Sequence, residues 1–286
     1  MLIDEVPERA VRRAGAAIEL PEGLLVLDAD SGEFGRMPKP VADAKIRGLS
    51  FDGARMVLVG GRGTCLLRLA DGEQCWYGIP EERYDEHADL SPDGRTIAIL
   101  TCDEENAIIS LLDPETGRRR DIWSDPGTAS HECEIRWSPA GRTIAATYMI
   151  WDDEMDDDAL STVVVDAADG RVLAGPFIRT HLLGGWLTAD LLSFREEYDD
   201  LHRLQRLDTT TGEVITGPTI PGRVWAAVAG RHVHEVDELE DHHAEDTTFY
   251  TTDIGFADRR PLFTLQPKVE VRYFFLAAGV SLPPSR

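Results

Sequence analysis

The chain has 286 residues, 42% of them hydrophobic, with 25 glycines, 16 prolines and 7% aromatic residues. That suffices for a sizeable core in one domain spanning residues 1–286, and it suits many short strands and turns better than long helices. Its 52 acidic against 29 basic residues give a formal net charge of −23, which argues against nucleic acid and anionic membranes, both of which need Lys and Arg to neutralise phosphate.

Taken from the start, the first twenty residues include Asp4 and Glu5 and no unbroken apolar stretch of signal-peptide length. No later stretch is long enough to span a membrane, so a cytoplasmic protein is expected. Residues 24–38 read as outer-type strands around a DADSGE turn. A repeat then begins: LSFDGARMVLVGG at 49–61, LSPDGRTIAILTC at 90–102 and WSPAGRTIAATYM at 137–149. Their serines, Ser50, Ser91 and Ser138, stand 41 and 47 residues apart.

Each unit makes physical sense. Ser-Pro-Asp-Gly forms a tight turn in which Pro presets φ, Asp bonds its own backbone and Gly takes positive φ. An apolar, β-rich strand follows, then a polar loop, and then a third strand, clearest at 108–112. A second turn recurs as DPETGR at 113–118, DAADGR at 166–171 and DTTTGE at 208–213, and a fourth strand such as 119–124 completes the unit. Four strands in about 40 residues predict a propeller blade. Weaker copies lie at 186–194 and 225–236, and the C-terminal EVRYFFLAAGVSL at 270–282 offers inner-type strands to pair with the N-terminal outer ones. An all-β propeller of six four-stranded blades is expected, closed by N- and C-terminal strands sharing one blade; seven blades would follow if two weak units are merged.

The SPDGRTIAIL and LLDPETGR patterns resemble the TolB-like, WD-repeat-like bacterial propellers. The strong motifs cover two blades, 90–125 and 137–177, and a third copy is fair. The resemblance implies the propeller fold and a repertoire dominated by protein and peptide binding, with peptidases, lactonases and lyases on the same scaffold.

The repeat also maps two faces. The short Gly turns fall at one end of the ring, trailed by Arg95, Arg118, Arg119, Arg120, Arg142 and Arg171. At the other end lie the loops between second and third strands: GGRG at 60–63, then Asp103, Glu104 and Glu105, then WDDEMDDD at 151–158, then Glu196, Glu197, Tyr198, Asp199 and Asp200, then EVDELEDHHAED at 235–246. These hold twenty of the 52 acids. Like charges so gathered suit a cation or a basic partner, although acidic surface loops are also common without any function. The leading expectation is therefore a non-catalytic binding propeller for a basic protein or peptide, using Asp103, Glu104, Trp151, Asp152, Asp153, Glu196, Glu197, Tyr198 and Asp199. Trp151 would add an aromatic face for a cation.

The alternative is a propeller enzyme of lyase or hydrolase type at the channel mouth, with or without metal assistance, for which His87, His131, Glu134 and His181 in the inter-blade links are the candidate acids and bases. No cofactor is expected. A divalent metal is an open alternative, with His232 and His234 on one strand face as its candidate ligands, although ordinary strand residues are the plainer reading. No G-x-S-x-G elbow exists for a serine hydrolase, and GGRG opens no helix for a dinucleotide. Trp137 and Trp186 fall at matching inner-strand ends and read as packing residues. Cys65, Cys75, Cys102 and Cys133 form no CxxC pair, lie in or beside apolar runs and read as buried thiols.

Overall fold

The computed structural model describes residues 5–21, 23–38, 44–80, 83–103, 105–127, 133–154, 156–198, 201–219, 223–228, 230–235, 247–266, 271, 273–277 and 279. Within them the chain forms six four-stranded antiparallel sheets and no α-helix, the arrangement of a six-bladed propeller.

Blade 1 holds β1 (Ala14–Leu20), β2 (Gly23–Asp28) and β3 (Phe34–Met37) from the N-terminal part of the chain. Blade 2 is β4 (Lys45–Leu49), β5 (Arg55–Gly60), β6 (Gly63–Arg68) and β7 (Gln74–Tyr77), and blade 3 is β8 (Tyr84–Leu90), β9 (Ile97–Cys102), β10 (Asn106–Leu112) and β11 (Arg119–Pro126). Blade 4 is β12 (Glu134–Trp137), β13 (Thr143–Asp152), β14 (Asp157–Asp166) and β15 (Val172–Ile178). Blade 5 is β16 (Thr180–Trp186), β17 (Leu191–Tyr198), β18 (Leu201–Asp208) and β19 (Glu213–Thr219). Blade 6 is β20 (Arg223–Val228), β21 (Arg231–Glu235), β22 (Thr247–Thr252) and β23 (Arg260–Leu265). Finally β24 (Tyr273–Leu276) returns to blade 1 as its innermost strand, pairing Phe275 with Ala17 and Phe274 with Ile18. The shared blade is as expected, but its division is one strand to three. The second strand, β1, comes from AGAAIEL near the N-terminus rather than from the C-terminal segment. Its alanines carry little strand signal, and burial on both faces decides its place.

The repeated serine is a turn residue. Ser91 Oγ donates to Asp93 Oδ1 at 2.7 Å and accepts the Thr96 N–H at 2.9 Å, while the Gly94 N–H closes on the Ser91 carbonyl at 2.8 Å. Ser50 and Asp52 repeat this in blade 2. There Gly53 has φ +70°, and a Cβ would lie 2.1 Å from the Ala14 carbonyl oxygen, so the turn can seat against blade 1 only as glycine. In the second turn type, Asp113 Oδ1 accepts the N–H groups of Glu115 and Thr116, and Asp28 and Asp208 do the same.

The apolar cores lie between blades. Met56 and Leu58 of β5 pack with Ala17 and Val26 of blade 1, and Ile144 and Ala146 of β13 pack with Leu100 and Ile109 of blade 3. Each of the larger aliphatic side chains among them contributes about 1.5–3 kcal/mol on burial. The joint between blades 5 and 6 is thinner: among the described residues its buried core is Leu204 and Val224, with Phe256 against them. Cys65, Cys102 and Cys133 are buried, but Cys75 is exposed because β7 is an outermost strand with one side to water.

Candidate functional site

The channel is walled by the six innermost strands, β4, β8, β12, β16, β20 and β24. Extra residues disturb the pairing of four of them, at Arg47 in β4, Glu86 in β8, Leu183–Gly184 in β16 and Trp225 in β20. Such bulges re-aim side chains where regular alternation would not. Arg47 is buried in this way, with 2% of its surface exposed.

Arg136 on β12 divides the channel. Its Nη1 reaches the Arg47 carbonyl of blade 2 at 2.9 Å, and its Nη2 meets Glu134 at 2.6 Å. Gly185, at φ +90°, gives it room, since a Cβ there would come 3.0 Å from Arg136 Cγ. Trp186 Nε1 donates to the Arg136 carbonyl at 3.2 Å. On the neighbouring strand, Asp89 accepts the Trp137 N–H at 2.8 Å and the Leu90 N–H at 3.0 Å. Burial raises its pKa to about 6, against the opposing pull of Arg136 and the two N–H bonds.

Two mouths result. At the short-turn end, the ends of all six inner strands line a cavity of about 110 Å³. Its walls are Trp137, Trp186 and Trp225 with Phe51, Phe274 and Phe275, and its polar side chains are Asp89 and Arg136. Towards the loop end, His87 is 4% exposed and its Nδ1 accepts the Ile135 N–H at 3.4 Å. Burial first, then Arg47, Arg136 and His181, hold its pKa well below the ordinary histidine value, so it is neutral near pH 7. The structure therefore brings His87, Glu134 and His181 to neighbouring inner strands, with His87 inside β8 rather than in a link. His131 lies outside the described residues.

Of the acids expected at the loop end, those at 236–246 lie outside the described residues, and several of the described ones are engaged in the fold. Strand β13 runs on through Trp151 and Asp152, and β17 through Glu196, Glu197 and Tyr198, so these are strand residues and not loop residues. Asp152 is 4% exposed, meets Arg179 Nε at 2.7 Å and accepts the Glu154 N–H at 3.0 Å. Asp103 accepts the N–H groups of Glu105 and Asn106, which together hold its pKa below the usual carboxylate value. Glu196 accepts from Gln205 Nε2 at 2.8 Å. Asp153 is exposed, as are Glu154, Asp156, Asp157 and Asp158, and Trp151 is 57% exposed beside them. Glu104 and Asp199 lie outside the described residues.

His232 and His234 share a face of β21 as read, where both pack against an aromatic ring. His232 Nε2 pairs with Ser193 Oγ at 2.9 Å, and the ring of Phe256 lies against both imidazoles, at 4.8 and 5.7 Å. Burial lowers both pKa values to about 4. Among the described residues, no group of three or more His, Cys, Asp or Glu is arranged to hold a metal ion.

Asp89, Arg136 and Arg47 were not among the sequence candidates. Two of them carry a signal: Gly48, Asp89 and Arg136 each stand two residues before the repeated serines Ser50, Ser91 and Ser138. Arg47 carries none, because its place depends on a bulge.

Comparison with known proteins agrees with this architecture. No family model matches the chain, and no curated protein does. TolB from Acinetobacter baumannii superposes with a TM-score of 0.63 at 16% identity, over 93% of this chain and 66% of TolB. The fold is that of the TolB-like propellers. The chain thus spans just under two thirds of that TolB. An oligogalacturonate lyase from Vibrio parahaemolyticus matches with a TM-score of 0.60 at 11% identity, over 84% of this chain and 70% of the lyase. An oligogalacturonate lyase in complex with manganese matches with a TM-score of 0.54 at 11% identity, over 89% of this chain and 75% of the lyase. These likenesses speak to the fold shared by binding proteins and enzymes.

Proposed function

We propose that this chain is a non-catalytic binding propeller that takes a basic protein or peptide on its loop end. The observation that carries the reading is the exposed acidic rim of blade 4, where Asp153, Glu154, Asp156, Asp157 and Asp158 share one hairpin end with the exposed Trp151, which pairs across the ladder with Asp158. Although Glu154 pairs with Arg179 at 3.1 Å, a rim with such an excess of one sign raises the local concentration of a cationic partner and speeds its capture, and an exposed indole gives that partner a face to stack on. Asp103, Asp152 and Glu196 support the rim by fixing turns and strand ends, and so contribute less directly.

The test is capture by immobilised protein of a lysine- and arginine-rich peptide library at low and physiological salt. Binding that weakens steeply with salt, and drops about tenfold when Asp153, Glu154, Asp157 and Asp158 are replaced by their amides, is the expected result. Binding unchanged by those four replacements and by Trp151→Ala would reject the reading.

A second reading, a propeller enzyme of lyase or hydrolase type with a divalent metal, draws on the buried channel group of His87, Glu134, His181, Arg47 and Arg136. It is weakened by the engagement of His87 Nδ1 and of Glu134 within the protein. Stoichiometric manganese, zinc or calcium in protein purified without chelator, together with turnover of an acidic oligosaccharide, would favour it.

A further inference from the structure

The cavity at the short-turn end is unlike the rest of the surface. It is walled by aromatic rings contributed by separate blades, with one carboxylate among them. The guanidinium beside that carboxylate is already occupied: Arg136 donates to the Arg47 and Ile135 carbonyls and pairs with Glu134. Asp89, in contrast, accepts only two backbone N–H groups and has no ion pair among the described residues. Gly48 keeps the approach to it open, since a Cβ there would lie 3.1 Å from Asp89 Oδ1. Trp137, 9% exposed, lines the cavity, but its indole N–H is shut away from solvent and offers a ligand no donor. A closed apolar core does not leave a carboxylate like this on the wall of a cavity.

We infer that this mouth is a receptor pocket for an organic cation, an alkylammonium head group that sits against the rings of Trp137, Trp186 and Trp225 and pairs with Asp89. Indole faces attract cations most strongly among the aromatic side chains, and desolvation in a pocket strengthens the attraction. The volume, about 110 Å³, is on the order of cavities that admit a single small ring (about 150 Å³). It holds a head group of a few heavy atoms and not an oligosaccharide. The site stands apart from the acidic rim, from which the Arg136 crossing separates it.

The decisive pair of probes is choline and 3,3-dimethylbutan-1-ol, which share shape and hydroxyl and differ in the charge. Titration of intrinsic tryptophan fluorescence, confirmed by calorimetry, is expected to show saturable binding of choline at least tenfold tighter than the neutral alcohol. Asp89→Asn is expected to abolish that preference while leaving the melting profile two-state. Phe51→Ala, a rim change at a 39% exposed residue, is expected to weaken choline several-fold without loss of fold. N-acetyl-lysine(trimethyl)-amide, bound as tightly as choline, would indicate a peptide side chain as the source of the head group; choline alone would indicate a free small molecule. The amide replacements on the acidic rim are expected to leave choline binding unchanged, so failure there and failure here are separate results. Equal binding of the two isosteres, no binding of either, or a choline affinity untouched by Asp89→Asn would overturn the assignment.

Discussion

The carboxylate of Asp152 meets Arg179 at 2.7 Å with 4% of its side chain exposed, inside the most acidic stretch of the chain. It accepts the Glu154 N–H within the β13–β14 turn and ties that turn to Arg179 between β15 and β16, which is held at φ +58°. Asp152→Ala removes an acceptor from a partly buried guanidinium and from the Glu154 N–H, so it should cost about 1–3 kcal/mol of stability, read as a lower urea midpoint at unchanged m-value. Asp153→Ala, one residue on and exposed, should move it by less than about 0.5 kcal/mol. Gly185 is a second such position. Alanine there meets Arg136 Cγ at 3.0 Å and adopts a φ of +90°, and should cost about 1–3 kcal/mol in the same measurement.

At the scale of the element, the blade turn explains how much of the fold was legible. Ser91, Asp93 and Gly94 form their turn from contacts within five residues, so sequence alone exposes it, and its repetition exposes the propeller. Strand ends were less legible, because β13 and β17 run several residues into acidic sequence that looks like loop. They persist there through ladder pairing, Trp151 opposite Asp158 and Glu196 opposite Arg203, which has no local signature. The channel residues were least legible. Asp89 and Arg136 could be found by register with the serines, but Arg47 is set by a bulge and by partners on other blades. The turn of blade 4 offers a gain-of-stability test. There Ala140 replaces the turn aspartate, and Ser138 Oγ accepts from Arg142 and Thr143 at 3.4 and 3.2 Å, longer than its counterpart in blade 3. Ala140→Asp should restore the Ser–Asp link and the cap on Arg142, raising stability by about 0.5–1.5 kcal/mol in thermal unfolding.

For the whole molecule, acidity acts through opposing groups. His232 and His234 have pKa values near 4 in the fold, against about 6.5 unfolded. Between pH 6.5 and 4 the unfolded chain takes up protons that the fold refuses, and stability falls as pH falls. His87 acts in the same direction. Asp89, raised to about 6, does the reverse: below pH 6 the fold holds a proton that the unfolded chain holds only near its ordinary value, which returns part of the loss. Net destabilisation across pH 6.5 to 4 is expected in melting curves, steeper in Asp89→Asn and shallower in a His232→Gln, His234→Gln pair. Both histidines border the joint of blades 5 and 6, whose buried core is the slightest among the described residues. Amide exchange at pH 5 should therefore rise first in β17 and β21, and uniform exchange across all six blades would contradict this account.

The position of β24 sets the order of events in synthesis. Among the described strands, the one that completes blade 1 is the last to leave the ribosome, whereas its partner β1 is the first. From the synthesis of β1 until that of β24, β1 has one unpaired edge. Unpaired edges recruit other chains, so the nascent protein has a long interval in which a chaperone, or a second nascent copy, competes for the place that only residues 273–276 finally take.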